Sequence, residues 1–196
     1  MEKGAWLLIG LLLAVLLIPV VLSGLPSESK GVEKNSAETF ILEDAKTTYG
    51  EGAEYSFLSS EKDGNNWKAE LKISLQPHSK CPAIMKRSYT LFPIKYREEV
   101  INSRCTVGGV IIYPEEAIIA SNGLQRVKDL PDTAKAYAKK YAAEEITALK
   151  LCTNNCPEEA RFVKTLPEQK LWIVKWVAGD GAVFFVAIDE QGKVIA

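Results

Sequence analysis

Apolar positions along the chain fall into three patterns, and each predicts a different element. The first is unbroken. Residues 5–22, "AWLLIGLLLAVLLIPVVL", are 18 consecutive positions without a charge. As a helix rising about 1.5 Å per residue this run spans roughly 27 Å, close to the thickness of a hydrocarbon core. It predicts a transmembrane helix, so residues 1–24 read as a membrane anchor or a signal sequence. A cleaved signal has a shorter apolar region, about 7–15 residues, and a small-residue cleavage site; here the exit "VVLSGL" offers only Ser23 or Gly24. Lys3 and the free amine bias the N-terminus toward the cytoplasm, which exports the rest. Residues 25–36, "LPSESKGVEKNS", are polar and aperiodic and read as a flexible linker.

The second pattern has period two. In "WKAELKISL", Trp67, Ala69, Leu71, Ile73 and Leu75 alternate with Lys68, Glu70, Lys72 and Ser74, which predicts a strand with one buried and one wet face. "KDGNN" before it is an Asp-Gly turn joining this strand to another over 53–59. Further strands are expected over 88–96, broken at Pro93, and over 110–113, while "EEAIIAS" fits helix or strand. Toward the C-terminus, strands are expected over 161–166, 171–178 and 182–189, joined by the turn-like "PEQK" and "GDG". The third pattern has helical spacing. Phe40, Ile41, Ala45 and Tyr49 make a stripe over 38–49 that Gly50 ends. Ala134, Tyr137, Ala138, Tyr141, Ala142 and Leu149 make another, which Asp132 caps.

Helices followed by antiparallel meanders predict an α+β fold, with a helix packed on a meander sheet and an N-terminal transmembrane helix in front. The order helix, turn, Trp-bearing strand occurs in "GNNWKAELKI" and again in "QKLWIVKWVA". It suggests two related halves, an N-terminal α+β half over 37–120 and a C-terminal half over 121–196.

Composition narrows the function. The chain has 196 residues, with 24 Lys and Arg against 25 Asp and Glu. That balance lacks the basic footprint of a nucleic-acid binder, so no nucleic-acid partner is expected. Catalytic signatures are also missing: no G-x-S-x-G, no H-E-x-x-H, no P-loop and no G-x-G-x-x-G after a strand. The one histidine, His78, sits in the loop "QPHSKCP" near Cys81, and an exposed loop histidine is usually inert. The adjacent glutamates Glu98-Glu99, Glu115-Glu116 and Glu158-Glu159 could serve glycoside hydrolysis, but neighbouring glutamates are normally solvated surface. The expectation is a non-enzyme without cofactor or metal.

The four cysteines are Cys81, Cys105, Cys152 and Cys156. Zinc sites want close knuckles from both pairs, which 81 and 105 do not supply. A redox pair wants its thiol at a helix N-terminus, whereas Cys152 follows an expected helix C-terminus. An even count in an exported chain fits disulfides, and four cysteines allow three pairings. The pairing favoured is Cys81 with Cys105 and Cys152 with Cys156. In "LWIVKWVAGDGAVFFV" both strand faces carry apolar residues. Either the strand lies buried between two layers, or Trp172, Trp176, Phe184 and Phe185 form an exposed patch for a partner.

Three stretches carry resemblances. "GDGAVFFVAIDEQGKVI", with Trp172, Val174, Phe185, Val186, Asp189, Gly192 and Val194, resembles the end of a PepSY-type or cystatin-like module. The likeness covers about the last 65 residues and a degenerate version of 37–120. It implies an extracytoplasmic, non-enzymatic module that binds or modulates another envelope protein or peptide. "EKGAW" resembles the archaeal type IV prepilin pattern, which implies a pilin-like subunit of a surface filament. Trp6 just past the cut, and Gly24 and Pro26 where a pilin helix would continue, depart from that pattern. "CTNNCPEE" resembles the C-x-x-x-C-P motif of Sco-type copper-delivery proteins. No histidine follows Cys156, and that family needs one.

Overall fold

The computed structural model of the protein describes residues 33–91 and 93–196. The expected anchor over 1–24, and all but the end of the expected linker, lie outside the described residues. Among the described residues no helix is long and apolar enough to cross a membrane. The last residues assigned to the linker are already helical: α1 spans Lys34–Tyr49 and buries Ala37, Ile41 and Ala45, one residue per turn on one face. Gly50, at φ +83°, ends it, because few side chains tolerate that backbone conformation.

Four antiparallel strands follow in sequence order: β1 (Glu54–Asp63), β2 (Asn66–Leu75), β3 (Ala83–Leu91) and β4 (Lys95–Asn102). The Asp-Gly turn stands as expected, with Gly64 at φ +60° and Asp63 opposite Asn66. The single strand expected over 88–96 is instead a hairpin. The chain reverses around Pro93, and Tyr89 of β3 lies opposite Tyr96 of β4. Residues opposite each other share a face, so Leu71, Arg87 and Glu98 all lie on the side covered by α1.

The expected wet face of β2 is only half wet. Lys68 is exposed, but Lys72 and Ser74 are buried. What covers them is the next helix, α2 (Pro114–Ser121), which carries Glu115. This helix resolves the ambiguity of "EEAIIAS". Its first turn is closed by Glu116, whose carboxylate accepts from the Ile112 and Tyr113 N–H groups at 2.7 and 2.9 Å. The strand expected over 110–113 does not form. That stretch is a loop, held by one backbone bond from Ile111 N–H to the Glu190 carbonyl at 2.8 Å.

After the short α3 (Gln125–Lys128) comes a second antiparallel sheet of β5 (Lys135–Tyr141), β6 (Leu171–Val177) and β7 (Val183–Ile188), with α4 (Ala143–Leu151) and α5 (Glu159–Val163) between β5 and β6. Two expectations fail here. The helix expected over 134–149 is a strand followed by a helix. Ala136 and Tyr141 are buried at the strand's two ends while Lys135, Lys139 and Lys140 stay exposed. The intrinsic helix preference of Ala and Lys yields to pairing with β6, whose free edge otherwise stays unsatisfied. The strand expected over 161–166 is helix α5. Ala160, Val163 and Leu166 are the buried positions, at a spacing of three that fits a helix.

The second sheet is covered on both faces. Trp172, Val174 and Trp176 of β6 pack with Phe184, Val186 and Ile188 of β7 beneath α2 and α3. Leu171 and Ile173 pack on the other side with Ile146 of α4 and Val163 of α5. The chain's end runs along β7, with Ile195 N–H donating to the Ala187 carbonyl at 2.8 Å. The architecture is α+β, with two antiparallel sheets and short helices around them.

Candidate functional site

Both expected disulfides are present: Cys81–Cys105 with Cα atoms 5.2 Å apart, and Cys152–Cys156 with Cα atoms 5.8 Å apart. The first ties the β2–β3 loop to the loop after β4. The second closes a five-residue ring that starts at the C-cap of α4. Asn155 turns that ring at φ +51°, a conformation Asn tolerates better than most residues. On chain-entropy grounds these bridges contribute about 3–4 and about 2 kcal/mol respectively. The ring borders an open cavity of about 550 Å³ with Arg161 and Lys164.

The four aromatics of the expected patch do not form one. Trp172, Trp176 and Phe184 are 5%, 0% and 8% exposed. Helices cover both faces of their sheet, which is the buried alternative. Phe185 is half-buried and stacks on Phe162 with ring centroids 5.7 Å apart. The Trp176 indole N–H donates to Ser121 Oγ at 3.0 Å.

A different constellation gathers where the two sheets meet. The β2–β3 loop docks on β5 through His78. Its carbonyl accepts from Ala136 N–H at 2.9 Å, and its ring Nδ1 lies 3.0 Å from the Ala136 carbonyl. Nε2 lies 3.1 Å from Glu54 Oε1, and the ring sits 4.3 Å from that of Tyr137. A carbonyl can only accept, so Nδ1 carries a proton. The doubly protonated ring satisfies Glu54 as well. His78 is thus engaged at both nitrogens and positions a loop. Beside it opens a shallow cleft of about 640 Å³, bordered by Glu51, Glu54, Asp132 and Lys135, and a smaller recess of about 120 Å³ under Tyr137 reaches Pro114 and Glu115.

Below this recess lies a buried ionic group. Glu115, 2% exposed, accepts from Lys72 Nζ at 2.7 Å and from Ser74 Oγ through the same oxygen. The Lys72 ammonium also lies 5.4 Å from the Tyr113 ring centroid. Burial raises the Tyr113 phenol above its ordinary range. With Ser74 donating to a carboxylate and Lys72 held as its counter-ion, the group fastens α2 to the sheet. A second buried cation, Arg87, lies on the opposite face. It meets Asp44 at 2.9 Å and Glu98 at 2.8 Å, and its guanidinium lies 4.2 Å from the Tyr96 ring centroid. Of the three glutamate pairs, only Glu115 departs from solvated surface to full burial. Glu98 is held by Arg87, Glu158 by Lys175 at 2.5 Å, and Glu159 accepts from Tyr141 at 2.5 Å.

Sequence reasoning placed the cysteines correctly and missed the sheet junction. Glu54, Tyr137 and Glu115 carry no pattern that distinguishes them from surface residues. The one available signal was His78, unique in the chain and flanked by Pro77 and the disulfide-bonded Cys81. Among the described residues no group of three or more His, Cys, Asp or Glu is arranged to hold a metal ion. No protein-family model matches the chain, and neither does any curated protein or solved structure.

Proposed function

We propose that the protein is a membrane-anchored, extracytoplasmic, non-catalytic module that binds another envelope protein, and that the cleft at the sheet junction receives a basic group from that partner. One observation carries the reading. Glu54 and Tyr137 are both fixed by contact with His78, and together they offer a carboxylate and an aromatic face at the mouth of a cleft whose rim adds Glu51 and Asp132. An ammonium or guanidinium group is recognised by that pairing of carboxylate with ring face. Holding both His78 nitrogens in positioning contacts favours binding over proton transfer. The two disulfides suit an oxidising compartment, residues 5–22 supply the anchor, and the likeness of the C-terminal third to PepSY-type modules suggests the same class of role.

The test is site-specific photo-crosslinking from position 137 of the full chain in its native membrane. The expected result is an adduct with one envelope protein that disappears when Glu54→Lys and Asp132→Lys are combined. No adduct, or an adduct indifferent to that charge reversal, overturns the reading.

A further inference from the structure

Edge strands present a row of unpaired N–H and C=O groups, and folded chains block them with bulges, lysines or a covering segment. Three of the four sheet edges here carry such devices. β1 is bulged between Phe57 and Ser59. β5 carries Lys135, Lys139 and Lys140 and has its Ala136 N–H taken by His78. β7 is covered by the chain's last residues. β4 differs. From Lys95 to Val100 it keeps an unbroken register with β3, and among the described residues its backbone makes no other hydrogen bond. Its apolar side chains stand in solvent, with Tyr96 54% and Val100 56% exposed.

We infer that β4 pairs antiparallel with β4 of a second copy, joining two four-stranded sheets into one of eight strands about a two-fold axis. The charges along the strand select both the partner and the register. A two-fold axis normal to the sheet must pass beside one residue and its copy. Centred on Glu98, it sets Arg97 opposite Glu99 of the second copy, twice, and Tyr96 opposite Val100, twice. Centred one residue earlier, it opposes two arginines and sets Tyr96 against Glu98. Centred one residue later, it opposes two glutamates at 99 and sets Glu98 against Val100. The favoured register also brings two Glu98 side chains together, but each is already paired with its own Arg87 at 2.8 Å. Tyr96 is held over the same guanidinium, so its ring is ordered before the strands meet. The joint is self-complementary and lies apart from the cleft at the sheet junction.

Sedimentation equilibrium of the full chain in a non-ionic detergent tests this. The unmodified chain is expected to dimerise. Arg97→Glu or Glu99→Arg alone should raise the dissociation constant by about tenfold or more, because each sets like charges against each other in both cross-strand pairs. Both side chains are exposed, so neither variant threatens the fold. A one-to-one mixture of the two variants should recover the lost affinity as a heterodimer. One strand then carries carboxylates at both positions and the other guanidinium groups at both, so each cross-strand pair again joins opposite charges. A chain that stays monomeric at about 100 μM overturns the inference. So does a dimer indifferent to the single variants, or a mixture that fails to recover.

Discussion

The two sheets are stabilised in opposite ways. The second sheet buries carbon on both faces, and its interior polar contact is one indole N–H on Ser121. The first sheet buries charge on both faces: Arg87 under α1, and Lys72 with Ser74 and Glu115 under α2. Apolar burial is strong but indifferent to direction, so it tolerates small shifts of one layer over another. An ion pair out of water contributes little net stability but is satisfied in one geometry only. The first sheet carries both the loop that forms the cleft and the open edge strand. Its charges fix where those two features stand relative to the helices above and below.

The largest effect should come from the carbon side. Trp176 is fully buried and fills the space between β6 and α2. Trp176→Ala is expected to cost about 4–5 kcal/mol, the sum of lost transfer energy and the cavity left behind. Chemical denaturation gives the value, and a loss under about 2 kcal/mol would mean that the second sheet is not the apolar anchor described here.

The next test separates stability from geometry on the charged side. Lys72→Met leaves Glu115 buried without its counter-ion and should cost about 3–4 kcal/mol. Adding Glu115→Leu removes the stranded charge, and the double variant should return to within about 1 kcal/mol of the original. A double variant as unstable as the single one would show that the pair is a net stabiliser, and the contrast between the sheets would fade. Arg87→Met should do less, about 1–2 kcal/mol, although Arg87 is as deeply buried. Its partners Asp44 and Glu98 keep 37% and 38% of their side-chain surface in water, so the carboxylates left behind can be hydrated.

The same contrast explains what the sequence could reveal. β2, β6, β7 and the Asp-Gly turn were legible because alternation and turn chemistry are local signals. The disulfides were legible because export and an even count limit the choices. Lys72 and Ser74 were misread as a wet face because the pattern of one strand cannot show that a helix some forty residues later brings Glu115 to cover them. Residues 135–141 were misread because "KAYAKKY" satisfies a helix locally, and only the edge of β6 makes it a strand. In both cases the deciding partner is distant in sequence. The polar junction with His78 was hidden for the same reason: its members come from β1, the β2–β3 loop, β5 and α2.

The smallest expected effect probes the charged side through pH. The Tyr89 phenol is pushed up to about 12, chiefly by burial, with its hydrogen bond to Asp44 adding to the rise and Arg87 opposing it. A phenol whose folded value lies above the unfolded value of about 10 favours the neutral form in the folded state. Its contribution is therefore complete below about pH 10 and is lost as pH climbs toward about 12. Tyr141, Tyr113 and Tyr55 shift in the same direction, so total stability falls across that window for several reasons at once. Comparison with Tyr89→Phe isolates one of them. The variant loses the Asp44 and Arg87 contacts at neutral pH but has no proton to give up, so its stability should decline less steeply from about pH 10 to about 12. Parallel urea titrations of the two proteins measure the difference in slope. Equal slopes would mean that Tyr89 ionises without penalty, and that the polar group under α1 is open to water rather than sealed like its apolar counterpart.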